Sequence, residues 1–133
     1  MPLEKVILAE GDENLRRTVA EFIRNKRIDV AEAGTIQDVY NYLGKDEFDL
    51  IFIDGRFRRR CLLAARDSLA PKGVVILHDA QRPHYHDALS AYPHVRMFNT
   101  GNMPGTSQPS TIALCSLNDG GFIDELAARY GKG

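Results

Sequence analysis

Three apolar runs of this sequence end in residues able to do chemistry. Glu10, Gly11 and Asp12 follow residues 6–9, Asp54 follows residues 48–53, and His78 and Asp79 follow residues 74–77. Carboxylates can accept hydroxyl hydrogens, hold cations or move protons, and a histidine beside one can act as a general base. Asp54, His78 and Asp79 are the catalytic candidates; Glu10, Gly11, Asp12 and Asp54 are the candidates for holding a cofactor. Acids at such positions also cap helices and turn chains, so each has a purely structural reading as well.

A second group lies just past these runs. Arg56 and residues 58–60 bring four guanidinium groups behind Asp54. Arginine matches phosphate and carboxylate bidentately, and Arg56, nearest Asp54, is expected to contact substrate together with Arg82 and Tyr85. The rest of the arginine run reads as a solvated helix face, with Phe57 or Cys61 turned inward. His78, His84 and His86 do not assemble a metal set: His84 and His86 would diverge on a helix, and no third ligand has a fitting spacing. No metal is assigned.

These residues need elements to hold them. Residues 6–9, 48–53 and 74–77 are short unbroken apolar runs, the pattern of strands buried on both faces. A further strand is expected at residues 28–33. Leu15, Val19, Phe22 and Ile23 recur at helical spacing after the first run. Ile36, Val39, Tyr40 and Leu43 do so after Thr35, which with Asp38 resembles a capping box. Residues 58–69 form the next expected helix, with Cys61, Leu62, Ala65 and Leu69 inward, and residues 71–73 a turn. A short helix is expected at residues 83–91, strands at 95–98 and 111–117 around a Gly/Pro-rich loop, and a closing helix at 122–130. Alternating strands and helices imply an α/β three-layer sandwich with a mostly parallel sheet, Rossmann-like or flavodoxin-like, and an antiparallel hairpin at the C-terminal edge.

The totals narrow the function. A chain of 133 residues fits one α/β domain, and a formal charge of -1 lacks the basic excess of nucleic-acid binding. Cys61 and Cys115 are far apart in apolar runs, the pattern of buried free thiols in a reducing compartment. No run approaches a membrane span, and acids within ten residues of Met1 do not suit a signal peptide. A cytoplasmic protein with no membrane or nucleic-acid partner is the expectation.

The stretch FDLIFIDGRFRRRCLLAARDSLAPKGVVILHDAQRPHY resembles the central part of class I S-adenosylmethionine-dependent methyltransferases. There the fourth strand ends in an acid, a helix follows, and a P-x-G turn opens a fifth strand ending in Asp or Asn. Asp54, Pro71-Lys72-Gly73 and Asp79 occupy those positions here. VRMFNTGNMPGTSQPSTIALCS is similar to the family's terminal hairpin, and VILAEGDENLRRTVAEFI to its second strand and helix. The resemblance implies S-adenosylmethionine as cofactor, with Glu10 on the two ribose hydroxyls, and a small molecule as substrate. In the family's metal-dependent branch, acids matching Asp54 and Asp79 help hold a divalent ion, but the Asn expected after the second acid is Ala80. The family's glycine-rich first strand has no counterpart in the five residues before Val6, so the second and fourth strands are expected to become neighbours in a flavodoxin-like order. An exposed sheet position left by that strand would favour a homo-oligomer. The N-terminal third also resembles receiver domains of two-component signalling, implying phosphorylation at Asp54 and magnesium on Glu10 and Asp12. His78 stands where receivers carry Ser or Thr, and the Lys-Pro pair is absent. The alternative is therefore a non-catalytic, receiver-like interaction module.

Overall fold

A computed structural model describes residues 5–54, 58–78, 80, 85–102, 105, 107 and 109–117. The first apolar run becomes β1 (Lys5–Ala9), followed by α1 (Glu13–Arg24), β2 (Asp29–Ala33), α2 (Ile36–Leu43) and β3 (Phe48–Ile53). Then come α3 (Arg58–Ala65), a 3-10 turn (Arg66–Ser68), β4 (Leu69–His78), α4 (His86–Leu89), β5 (His94–Asn102) and β6 (Pro109–Ser116). The six strands form one sheet in the order β2-β1-β3-β4-β6-β5. The first four pair in parallel, and β6 runs antiparallel to both β4 and β5. This is an α/β fold with a Rossmann-like mixed sheet and an antiparallel pair at its C-terminal edge.

The central strands are apolar on both sides because helices lie on both faces. Ile7, Ile51, Val75 and Cys115 pack with Val39, Leu62 and Ala88 under α2, α3 and α4. Val6, Leu8 and Val30 pack with Ala20 under α1 on the other face. β1 pairs with β2 on one side and β3 on the other, leaving no slot between β1 and β3 for another strand. The sheet position on which self-association was expected is therefore closed.

Capping fixes where the helices begin. The Asp12 carboxylate accepts from the Leu15 N–H at 3.1 Å. Thr35 Oγ1 accepts from Asp38 N–H at 3.1 Å, while the Asp38 carboxylate reaches back to the Gly34 N–H at 3.2 Å. The first two bonds satisfy N–H groups that the first helical turn leaves unpaired, and the third ties the residue before the Thr35 cap to the helix.

Several boundaries and faces differ from the sequence expectation. Phe22 is not on the inward stripe of α1 but is 63% exposed, while Ala20 is buried; Leu15 shares the stripe of Val19 and Ile23 yet is 49% exposed. The Lys26 ammonium lies over the exposed Phe22 ring, 4.9 Å from its centroid. On α2, Tyr42 packs against the core and Tyr40 is exposed. Residues 71–73 are not a turn but part of the long β4, at the point where its register with β3 shifts. A Cβ on Gly73 would sit 2.9 Å from the Phe48 carbonyl oxygen, so the close approach of β4 requires glycine there. Leu69 is buried as the first residue of that strand rather than as the end of α3. The expected helix at residues 122–130 lies outside the described residues.

Candidate active site

The parallel ladders continue past the strands and pin the rim. Glu10 N–H donates to the Ala33 carbonyl at 3.0 Å, and Asp54 N–H donates to the Ala9 carbonyl at 2.9 Å. Glu10 and Asp54 therefore stand side by side at the carboxyl ends of β1 and β3, where open α/β sheets place their ligands. A cavity of about 940 Å³ opens there. Glu10, Gly11 and Asp12 form one wall, Gly34, Thr35 and Val39 a second, and Asp54, Arg58 and Tyr85 a third. A Cβ on Gly11 would meet nothing within 4 Å, so this turn borders open space.

Asp54 is the hub. Its Oδ1 accepts from Arg58 Nη2 at 2.8 Å and lies 3.2 Å from His78 Nδ1. Arg58 Nη1 donates to the Tyr85 hydroxyl at 3.2 Å, tying α3 to the segment leading into α4. Burial opposes the charge on Arg58, but its bonds to Asp54 and Tyr85 outweigh that and raise its pKa. Glu10 behaves differently. Burial and the neighbouring Asp54 carboxylate push its pKa up, against the Asp12 N–H that bonds Glu10 Oε1 at 3.0 Å.

The rim is also clamped from behind. Arg16 Nη1 donates to the Glu10 carbonyl at 3.1 Å, and Arg16 Nε is 3.4 Å from Glu32 Oε1. A Cβ on Gly34 would lie 2.5 Å from Arg16 Nη1, so Arg16 occupies space that only glycine leaves open.

Of the candidates named from sequence, Glu10, Gly11, Asp12, Asp54 and Tyr85 line this cavity, and His78 reaches it through Asp54. Asp79, Arg56 and Arg82 lie outside the described residues. The arginine run divides differently from the expectation. Arg59 is exposed and pairs with Asp87, as a solvated face should, whereas the Arg58 side chain is only 13% exposed and turns onto Asp54. The signal for Arg58 was its spacing: Asp54, just past β3, and Arg58, the first residue of α3, are four apart and meet as an i,i+4 pair. Cys61 lines the same cavity as a buried thiol pushed up to about 11 by burial. Such a thiol is a poor nucleophile. Among the described residues, no three His, Cys, Asp or Glu side chains gather as a metal set.

No protein-family model matches the chain, and no curated protein does. Solved structures do. Spermidine synthase from Thermotoga maritima aligns with a TM-score of 0.59 at 20% identity, over 98% of this chain and 51% of its own. The O-methyltransferase TomG from Streptomyces achromogenes, in complex with S-adenosylmethionine, aligns with a TM-score of 0.55 at 17% identity, over 86% and 62%. An O-methyltransferase from Bacillus cereus in complex with S-adenosylhomocysteine gives 0.55 at 17%, over 86% and 63%. The fold is methyltransferase-like. The chain spans about half to three fifths of the length of these structures. The receiver resemblance gains no support from them. No described helix is long and apolar enough to cross a membrane.

Proposed function

We propose that this chain is a methyltransferase-type domain that binds S-adenosylmethionine, or its product S-adenosylhomocysteine, and acts on a small molecule. The observation carrying this reading is the pairing of Glu10 and Asp54 at adjacent strand ends of one cavity, on a fold shared with methyltransferases. The residues suit the adenosine half. A carboxylate at Glu10 accepts from both ribose hydroxyls at once. The wall of Gly34, Thr35, Ile36 and Val39 supplies a partly apolar surface against which a base can lie.

The methionine half has less to rest on. The slot where the family places its glycine-rich first strand is taken by the direct pairing of β1 with β3. Affinity is thus expected to come mainly from the nucleoside. When bound, the cofactor supplies a methyl group made electrophilic by its sulfonium. The chain's own residues orient and neutralise: Arg58 fixes the Asp54 carboxylate, and Asp54 holds the His78 ring through Nδ1. Asp79, Arg56 and Arg82 remain part of the proposed site on sequence grounds.

Calorimetric titration with S-adenosylhomocysteine tests the reading. Binding should weaken about 10- to 100-fold in Glu10→Ala, the effect of losing hydrogen bonds to a charged group, worth roughly 1.5–3 kcal/mol. No heat at millimolar ligand, or equal affinity in the variant, removes it.

A further inference from the structure

A second cavity lies on the other face of the sheet. α1 covers β1 and β2 through Ala20 and Val30, and beside β3 it leaves a groove of about 260 Å³. Leu8, Leu50 and Phe52 form its floor, and Leu15, Val19 and Ile23 its wall. The pairing of Leu8 with Phe52 and of Val6 with Leu50 makes that floor continuous. Leu15, 49% exposed, stands at its edge.

One end is polar. Glu10 and Asp54 border this groove as well as the larger cavity, and His78 and Arg16 join them. Arg16 is turned toward the Glu10 carbonyl and Glu32, and Arg58 holds Asp54 from the opposite side of the sheet. A ligand entering the groove therefore meets apolar walls and, at the end, the Glu10 carboxylate. Size restricts it further. An apolar cavity of about 150 Å³ accepts benzene, so this groove suits one substituted ring or a chain of similar bulk.

We propose that the groove is a second binding site, for a small organic cation: an amine with an apolar body against Leu8, Leu50 and Phe52, and its ammonium group at Glu10. An anion of the same shape is rejected by the two carboxylates, and a neutral analogue gains the burial without the ion pair. Glu10 is held up in pKa by burial and by Asp54, and an adjacent ammonium relieves that strain. The two cavities meet at Glu10 and Asp54, one polar and one apolar. As a binding site the groove does not rest on the function proposed above.

The test uses the full chain with labelled Leu, Ile and Val methyl groups and three probes: phenethylamine, 2-phenylethanol and phenylacetate. Phenethylamine should shift the methyl resonances of Leu8, Leu15, Val19 and Leu50. It should bind about tenfold more tightly than phenylacetate, with 2-phenylethanol between them. Leu15→Asn, at an exposed position of the first helical turn, should abolish these shifts and leave the affinity for S-adenosylhomocysteine unchanged. The proposal is overturned by any of four results: no shifts at millimolar amine, shifts centred on Ile36 and Val39 instead, equal binding of phenylacetate, or self-association that Leu15→Asn removes, which would make a second copy the occupant. Amine binding without S-adenosylhomocysteine binding would overturn only the earlier reading.

Discussion

Replacing Arg58 with Met keeps most of the side chain's bulk and removes its charge, so it isolates what the guanidinium does for Asp54. The Arg58 and Asp54 side chains are 13% and 20% exposed, and their contact is 2.8 Å. An exposed pair is worth roughly 0–1 kcal/mol, and breaking a buried one costs roughly 3–5 kcal/mol. This pair falls between, and His78 at 3.2 Å still supports the carboxylate, which places the loss at about 1.5–2 kcal/mol. The Tyr85 hydroxyl also loses its donor, adding about 0.5–1 kcal/mol. The total of about 2–3 kcal/mol should lower Tm by roughly 6–12 °C in a chain of this size. Urea denaturation followed by far-UV circular dichroism measures it, in the wild-type background and in Asp54→Asn. In the second background the effect should shrink to the tyrosine part, about 1 kcal/mol or less. A loss under about 0.5 kcal/mol, or the same loss in both backgrounds, would refute the claim that Asp54 depends on Arg58.

Two further substitutions follow from the same structure. Glu10 has a folded pKa above its ordinary 4.5, so the folded chain retains a proton that the unfolded chain releases, and stability falls as pH rises from about 4.5 through the folded value. Glu10→Gln should raise Tm at pH 7 and lose that advantage below pH 4.5; a variant less stable at pH 7 would contradict the sign. Gly73→Ala would put a Cβ 2.8 Å from Leu69 Cδ1 and 2.9 Å from the Phe48 carbonyl. Backbone inside a sheet yields little, so the expected cost is about 1–3 kcal/mol by chemical denaturation. An unchanged midpoint would mean the β3–β4 junction is looser than described.

The strands were the most legible part of the chain because burial on two faces leaves an unbroken apolar run, as at residues 48–53. The helices were legible as existing and less so as faces. Leu15, Val19, Phe22 and Ile23 satisfy a helical period, but α1 has a sheet beneath only part of that arc: Phe22 falls outside it, and Leu15 is half-exposed at its edge. Residues 71–73 carry turn chemistry, and the structure uses their glycine for a register shift within β4 instead. Local signals report conformational preference; cross-strand contact decided between the two uses.

Composition and order alone determined that apolar runs would end in Glu10, Asp54 and His78, since a strand leaving a two-sided core must meet polar residues where it reaches solvent. The sequence also carried the Asp12 and Thr35 caps, because capping involves residues three apart and nothing distant. Tertiary structure decided the rest. It made β1 and β3 neighbours, turned Arg58 onto Asp54, clamped Glu10 with Arg16 across Gly34, and left an apolar groove beside α1. Each of these joins residues on different elements, and their separation in space depends on strand order and register, which no local pattern encodes.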